Sequence, residues 1–160
     1  MTLAVVIPVF NGERYLAEAV ASVRSQSVRP DEIVVVDDGS TDGTAAWLSA
    51  QDDLTILTQE NRGAGAARNR GVQNVTASIL AFLDADDMWR PDYIEHQRAL
   101  LDADASVDAV FALGRVGPPS RRQLSTRNTK TRPLGTLTSM FSPRCQTFLL
   151  LGCPKHTPEG

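Results

Sequence analysis

Short apolar runs rich in β-branched residues alternate with amphipathic helical patterns along the first part of this 160-residue chain. The run LAVVIPVF has no charged position, which is typical of a strand buried on both faces. In the next segment Leu16, Val20 and Val23 recur at i, i+4 and i+7, which predicts a helix with one apolar face. Because strand and helix patterns alternate in this way five times, we expect an α/β fold with a mostly parallel sheet and helices on both faces.

The starts of two helices can be placed from local chemistry. Ser40 or Thr41 can cap the second helix, because a hydroxyl oxygen accepts a hydrogen bond from a free N–H group at a helix start. Pro91 and Asp92 predict the start of a helix that runs to about Ala103, with proline at the first helical position. An acidic side chain is also favourable there, because it faces the positive end of the helix dipole.

Charge and composition divide the chain near residue 114. Residues 1–114 hold 8 Arg and 18 Asp or Glu, a net charge of −10, whereas residues 115–160 hold 8 Lys or Arg and the single acid Glu159, a net charge of +7. The second part also holds both cysteines and six of the nine prolines, and it shows no hydrophobic period. We therefore expect one patterned domain over residues 1–114 and an irregular basic tail over residues 115–160.

The composition is that of an ordinary globular protein. No apolar run approaches the roughly 18 residues of a membrane span, and the N-terminus lacks a signal-peptide pattern. Two cysteines suit a reducing compartment and provide neither a zinc site nor a disulfide framework. The expected location is the cytoplasm, with a peripheral position at the inner membrane face left open, and neither a transmembrane segment nor a nucleic-acid partner is expected.

Polar clusters follow four of the predicted strands at the point where each strand ends. In sheets of this type, ligands bind beyond the carboxyl ends of the strands. We therefore expect the four clusters to converge on one rim of the sheet. In chain order they are Asn11-Gly12-Glu13, Asp37-Asp38-Gly39-Ser40, Asn61-Arg62-Gly63 and Asp84-Ala85-Asp86-Asp87.

The last cluster has the chemistry of a cation site. Asp84 and Asp86 leave a strand at i and i+2, so both carboxylates can face one point. Mg²⁺ and Mn²⁺ are held by one or two carboxylates together with substrate phosphate oxygens. The alternative is a solvated acidic turn that caps the next helix. A calcium loop of the EF-hand type is excluded, because Trp89 occupies the position that requires glycine.

Two further clusters favour a nucleotide ligand without establishing it. The Asp38 carboxylate can accept hydrogen bonds from a base N–H or a ribose hydroxyl, although an Asx-type turn explains DDGSTDG equally well. In NRGAGAARNRG, small residues leave room for phosphate near free backbone N–H groups, and Arg68 can neutralise a diphosphate. An exposed basic helix packed through alanine is the alternative. A dinucleotide fingerprint is poorly supported, because the third glycine is missing.

Taken together, the motifs resemble the N-terminal, nucleotide-sugar-binding half of family 2 glycosyltransferases, which are inverting enzymes with the GT-A fold. The resemblance covers roughly Leu3 to Leu113. It implies a Rossmann-like GT-A half-domain over residues 1–114, a nucleotide-diphosphate sugar as ligand, with a UDP-sugar favoured, and Mn²⁺ or Mg²⁺ as cofactor. The segments that carry it are VVIPVFNGERYLAEAVASVRSQSVRPDEIVVVDDGSTDGT, QENRGAGAARNRGV and ILAFLDADDMWRPDYI.

The resemblance also implies a role for each matched position. Asp38 would contact the base, and Asn61 and Arg68 would lie near the base and the diphosphate. Asp84 would contact the ribose or metal-bound waters, and Asp86 would bind the metal directly. The full set implied for the nucleotide-sugar is Pro8, Val9, Phe10, Asn11, Glu13, Asp38, Asn61, Arg68, Asp84 and Ala85. The set implied for the metal is Asp86 and Asp84, with Asp87 orienting its neighbours.

The catalytic half of the family is not recognisable in this sequence. That half supplies the acceptor site and an Asp or Glu general base, commonly in an E-D pair, which takes the proton of the acceptor hydroxyl. Residues 109–160 contain one acidic side chain, Glu159, and no E-D pair. We hypothesise that the sequence from about residue 115 is not that of the family, as a frameshift would produce. Translating the gene in its other two frames past codon 114 tests this hypothesis.

Three functions stay open on the sequence alone. The first is a metal-dependent, inverting glycosyltransferase of cell-envelope polysaccharide biosynthesis, with a glycan, lipid or protein acceptor that the sequence does not identify. The second is a non-catalytic module that holds a nucleotide-sugar and a metal without transfer. The third is a Rossmann-like domain with an unrelated interaction function.

Overall fold

A computed structural model describes residues 1–104, 107, 109–111, 114–115, 123–124, 129–131 and 149–152. Within these ranges the helices are α1 (Leu16–Arg24), α2 (Thr44–Ser49), α3 (Ala64–Gln73) and α4 (Tyr93–Ala103). The strands are β1 (Leu3–Val9), β2 (Glu32–Asp37), β3 (Thr55–Thr58), β4 (Ile79–Phe82), β5 (Ala109–Phe111), β6 (Gly114–Arg115), β7 (Gln123–Leu124), β8 (Thr129–Thr131) and β9 (Leu149–Gly152).

The main sheet has seven strands in the order β3-β2-β1-β4-β9-β5-β8. Its first four strands are parallel, with β1 paired to both β2 and β4, and β2 paired to β3. Strand β9 runs antiparallel to β4 and β5, and β8 runs antiparallel to β5. Strands β6 and β7 form a separate pair. The predicted α/β fold with a mostly parallel sheet is confirmed for the four-stranded part that carries the motifs.

Strand β1 lies at the centre of the parallel part. All seven of its residues are buried, as its continuous apolar sequence predicts for a strand covered on both faces. Pro8 can be accommodated in this strand because the pairing with β4 ends at Val6, so that position 8 lies beyond it. The outer strand β3 differs, since most of its residues are exposed.

The predicted cap of the second helix is wrong. Helix α2 begins at Thr44, and neither Ser40 nor Thr41 lies next to it. The Ser40 hydroxyl instead accepts a hydrogen bond from the N–H of Asn11 at 2.9 Å. The N–H of Thr44 donates to Oδ1 of Asp42 at 3.0 Å. The hydroxyl that the local sequence assigned to the helix is therefore hydrogen-bonded to a residue 29 positions away in the chain.

The fourth helix begins two residues later than Pro91, so proline is not its first helical residue. Asp92 takes the N-cap position, without a side-chain hydrogen bond to the helix, and Tyr93 follows as the first helical residue. The Pro91 carbonyl accepts the N–H of Ser27 at 2.7 Å, which ties this loop to the end of α1. None of the described helices is both long and apolar enough to cross a membrane.

The described residues of the range 115–160 all lie in strands. The sequence pattern did not predict β9, which lies between β4 and β5 in the sheet. The irregular structure expected for the rest of 115–160 falls outside the described residues. Most positions after β5 likewise lie outside the described residues.

Gly71 allows helix α3 to approach β1 closely. A Cβ atom added at position 71 would overlap Cγ1 of Val6 and would lie 3.2 Å from its Cγ2 and 3.4 Å from Cγ2 of Val36. A Cβ atom added at Gly65, in the first turn of the same helix, would meet no atom within 4 Å. The two glycines therefore differ in packing although they share one helix.

We predict opposite effects on stability for alanine at these two glycines. Gly71→Ala should lower the free energy of unfolding by about 1–2 kcal/mol, because overpacking outweighs the roughly 1 kcal/mol that alanine gains over glycine in a helix. The matched control Gly65→Ala should raise it by about 0.5–1 kcal/mol. Urea unfolding followed by circular dichroism measures both, and equal effects would contradict the close packing of α3 on β1.

Candidate functional site

The carboxyl ends of β1, β2 and β4 lie along one edge of the sheet, where a cleft of about 340 Å³ opens. Its walls come from the end of β1 and the loop after it, from α3, and from the segment that follows β4. The sequence-predicted positions that line the cleft are Pro8, Val9, Phe10, Asn11, Arg68, Asp84, Ala85 and Asp86. Three lining residues are not in the predicted set of site residues: Gly12 and Ala64, which belong to segments expected near the rim, and Tyr15.

Three carboxylates meet on the side of the cleft next to β4. Asp84, Asp86 and Asp87 each offer one oxygen atom, and these atoms lie within 4.8 Å of one another. The N–H of Asp87 donates to the carbonyl of Asp84 at 3.0 Å, and this turn gathers the three side chains. Two such charges 4 Å apart repel by about 4 kcal/mol at the dielectric of a protein surface. Clustered carboxylate oxygens are the ligands that Mg²⁺ and Mn²⁺ prefer, so the residues fit such a cation.

The cleft also contains a positive side chain. Nη2 of Arg68 forms an ion pair with Oδ1 of Asp84, and the two side chains are only 11% and 25% exposed. Burial raises the pKa of Asp84 above its ordinary value, and the charge of Asp86 adds to this effect, while Arg68 acts in the opposite direction. Arg68 and Asp84 are thus held together where little water reaches them, whereas Asp86 of the same cluster is exposed.

Asp38 fixes the loop between β3 and α3. Its Oδ1 accepts hydrogen bonds from Nε2 of Gln59 at 2.7 Å and from the N–H of Arg62 at 2.9 Å. Its Oδ2 accepts the N–H of Gly63 at 2.7 Å. Asp38 is almost fully buried and does not line the cleft, and the same loop carries Asn61, which also lies outside the lining. Contacts of Asp38 and Asn61 with a base stay predictions.

Asn11 and Glu13 tie the loop after β1 to the loop after β2. Oδ1 of Asn11 accepts the N–H of Thr41 at 2.8 Å, and Oε2 of Glu13 accepts the N–H of Gly43 at 3.1 Å. Asn11 adopts a φ of 52°, in the left-handed region that asparagine tolerates better than most residues. Asn11 lines the cleft, whereas Glu13 faces the neighbouring loop instead.

Sequence reasoning missed two residues of this network, Asp42 and Thr44. Oδ2 of Asp42 accepts the N–H of Glu13 at 3.1 Å. Oγ1 of Thr44 accepts the N–H of Gly12 at 2.9 Å, and this contact is buried. The run STDGT, with its short polar side chains that bond readily to backbone groups, was the available signal.

We predict that Asp38→Asn destabilises the fold in a pH-dependent manner. At about pH 7 the free energy of unfolding should fall by about 1–3 kcal/mol, because an amide NH₂ replaces an oxygen that accepts hydrogen bonds. Burial alone would raise the pKa of Asp38, but its three hydrogen bonds lower it below the ordinary value of 3.8. The stabilisation is therefore present above the unfolded-state pKa of about 3.9 and is lost as the pH falls through the folded-state pKa.

Urea unfolding at several pH values measures this effect. The difference between the wild type and Asp38→Asn should shrink as the pH falls below about 4. The exposed Asp52 provides a matched control, and Asp52→Asn should change stability by less than about 0.5 kcal/mol. A difference for Asp38→Asn that is independent of pH would contradict the role of the carboxylate charge.

Comparisons with known proteins identify a family and relatives that are similar to this chain. The family described as "Glycosyl transferase family 2" matches residues 4–153. RP339 of Rickettsia prowazekii, named an uncharacterized glycosyltransferase, is 37% identical over 113 residues, which are 70% of this chain and 36% of RP339. Glycosyltransferase GlyA of Streptococcus pneumoniae is 37% identical over 97 residues, 58% of this chain and 14% of GlyA. The chain thus spans about a third or less of the length of these relatives.

Two solved structures are similar to this chain. S. aureus TarS in complex with UDP has a TM-score of 0.61 and 29% identity, over 68% of this chain and 34% of the TarS chain. Mannosyltransferase PcManGT from Pyrobaculum calidifontis, in complex with GDP-Man and Mn²⁺, has a TM-score of 0.61 and 31% identity, over 71% of this chain and 35% of its own. These similarities confirm the GT-A fold.

The family match extends past residue 114, where we hypothesised that the family sequence ends. The frameshift stays a prediction about the gene and is not needed for the family assignment. A match over most of the chain and the shared fold agree with the motifs around the cleft. This chain therefore belongs to glycosyl transferase family 2.

Proposed function

We propose that this chain binds the nucleotide-diphosphate sugar donor of an inverting glycosyltransferase in the cleft, together with a divalent cation. One observation carries the proposal: the carboxylates of Asp84 and Asp86 and the guanidinium of Arg68 line the same cleft at the carboxyl ends of the parallel strands. The UDP complex of TarS and the complex of PcManGT with GDP-Man and Mn²⁺ support it, because both proteins share this fold.

Each wall of the cleft has a part in this proposal. Asp86 and Asp84 hold the cation, which when bound supplies positive charge that stabilises the leaving diphosphate. Phe10 is 49% exposed and offers an aromatic face to the base. Ala64 at the start of α3 leaves room for phosphate near free backbone N–H groups. The donor is a UDP-sugar in this proposal, and the cation is Mn²⁺ or Mg²⁺.

Three residues implied by the resemblance lie outside the lining of the cleft. Asp38 and Asn61 can contact the base only if the bound nucleotide-sugar extends past the lining residues toward the loop between β3 and α3. Glu13 acts on the cleft indirectly, because its carboxylate holds the N–H of Gly43 in the neighbouring loop. These assignments complete the proposed nucleotide-binding surface.

Transfer requires a general base, and residues 109–160 contain no E-D pair of the kind that supplies it in the family. An inverting displacement needs a carboxylate that takes the proton of the acceptor hydroxyl as it attacks. After Asp108 the sequence offers Glu159 as its one acidic side chain. We therefore propose donor binding with weak or absent transfer by this chain alone, in the cytoplasm. The same observation favours the second candidate, a non-catalytic module that binds nucleotide-sugar and metal.

We predict that Asp86→Ala abolishes the metal-dependent part of nucleotide binding. Isothermal titration of UDP into the wild type should show binding in Mn²⁺ that is lost in EDTA. In Asp86→Ala the two conditions should give the same weak result, because a direct oxygen ligand is missing. The exposed Asp102 on α4 gives the control variant Asp102→Ala, which should bind as the wild type does.

Unchanged Mn²⁺-dependent affinity in Asp86→Ala would overturn the assignment of the metal site. If UDP binding by the wild type does not depend on the metal, both the transferase hypothesis and the binding-module hypothesis are wrong. The remaining hypothesis is then a Rossmann-like domain with an unrelated interaction function. Release of UDP from a UDP-sugar in the presence of a sugar acceptor separates the transferase from the module.

A further inference from the structure

The ion pair between Arg68 and Asp84 lies inside the proposed donor site and involves a proposed metal ligand. Arg68 belongs to α3, whereas Asp84 follows β4, so the pair joins two elements across the cleft. Gly71 lies three residues after Arg68 in the same helix and brings α3 against Val6 of β1. Packing of the helix on the sheet thereby positions the backbone from which the Arg68 side chain extends.

The pair is well shielded from solvent compared with its neighbour Asp86. The side chains of Arg68 and Asp84 are 11% and 25% exposed, whereas Asp86 is exposed. Water screens the charge of an exposed carboxylate, but a partly buried carboxylate needs a partner charge. Arg68 provides that partner from within the chain.

We propose that Arg68 is an internal counter-ion that occupies Asp84 until cation and nucleoside diphosphate bind together. The proposal rests on the proposed function and deepens it. A divalent cation that binds Asp84 lies close to the guanidinium of Arg68, and the two positive charges repel each other. If a cation binds alone, this repulsion weakens the contact of Arg68 with Asp84, and no phosphate is present to replace that contact. If a nucleoside diphosphate binds as well, Arg68 exchanges the carboxylate for a phosphate oxygen, which suits a guanidinium equally well.

The consequence is a positive coupling between the two ligands. UDP should increase the affinity for Mn²⁺, and Mn²⁺ should increase the affinity for UDP by the same factor, since coupling of binding equilibria is reciprocal. A permanent structural ion pair predicts something different. In that case removal of Arg68 leaves Asp84 without its partner and does not improve cation binding.

The experiment measures Mn²⁺ binding with and without UDP in the full chain. Electron paramagnetic resonance of free Mn²⁺ gives the affinity for the ion alone, and isothermal titration gives the affinity for UDP in Mn²⁺. In the wild type, UDP should tighten Mn²⁺ binding by about 10-fold. In Arg68→Met, the affinity for Mn²⁺ alone should rise by about 5–10-fold, and the enhancement by UDP should fall toward about 1.

Two further variants serve as controls. Arg70→Met makes the same change two residues along α3 on an exposed side chain, and both affinities should remain those of the wild type. Arg68→Lys keeps the positive charge, so its affinity for Mn²⁺ alone should stay within about 2-fold of that of the wild type. This change is small compared with the roughly 10-fold coupling expected between UDP and Mn²⁺. Circular dichroism of each variant tests whether it is folded.

Two results overturn the inference while leaving the proposed function in place. The first is UDP binding by the wild type that depends on Mn²⁺, combined with unchanged or weaker binding of Mn²⁺ alone in Arg68→Met. The second is an affinity for Mn²⁺ alone in another variant, Arg68→Gln, that is no higher than in the wild type, which decides the question even if Arg68→Met does not fold. A wild type whose UDP binding does not depend on Mn²⁺ overturns the inference and the proposed function together.

Discussion

The burial of β1 on both faces is the constraint on which the rest of this structure depends. A seven-residue strand without a charged side chain cannot face water, so helices and neighbouring strands must cover it. Its parallel pairing with β2 and β4 brings the carboxyl ends of these strands to one edge of the sheet. Strand β1 contains no polar side chain, and the polar side chains lie in the loops that follow β1, β2 and β4. The site therefore lies at that edge as a result of burial.

Part of the charge at this edge is balanced by a basic side chain that packing brings to it. Three carboxylates gather after β4, and the guanidinium that compensates one of them comes from a helix whose distance from the sheet is set by a glycine. The loops after β1 and β2 are joined by hydrogen bonds of Asn11, Glu13, Asp42 and Thr44. The acidic turn and the basic helix belong to separate elements, and the ion pair between Arg68 and Asp84 connects them.

The sequence predicts those parts of the molecule that depend on local periodicity. The buried strands, the parallel sheet and the acidic turn after β4 follow from apolar runs and from carboxylates at strand ends. Contacts between distant loops do not follow in this way. Ser40 is hydrogen-bonded to Asn11 and not to α2, and Asp38 is hydrogen-bonded to the loop before α3. These partners are distant in the sequence and come together only in the folded chain. Strand β9 was not predicted either, since its pairing with β4 joins residues about seventy positions apart.

The order of strands in the sheet has a consequence for how the chain folds. β1 pairs with β2 through residues that follow soon after it, but its other edge pairs with β4, where Leu3 lies opposite Ile79. During synthesis this apolar strand thus has one unpaired edge until Ile79–Phe82 have left the ribosome. Parallel pairing at such sequence separation is slow to form, and open apolar edges associate with other chains in the meantime. The strand that gives the mature sheet its centre is therefore the segment that most needs protection while the protein is being made.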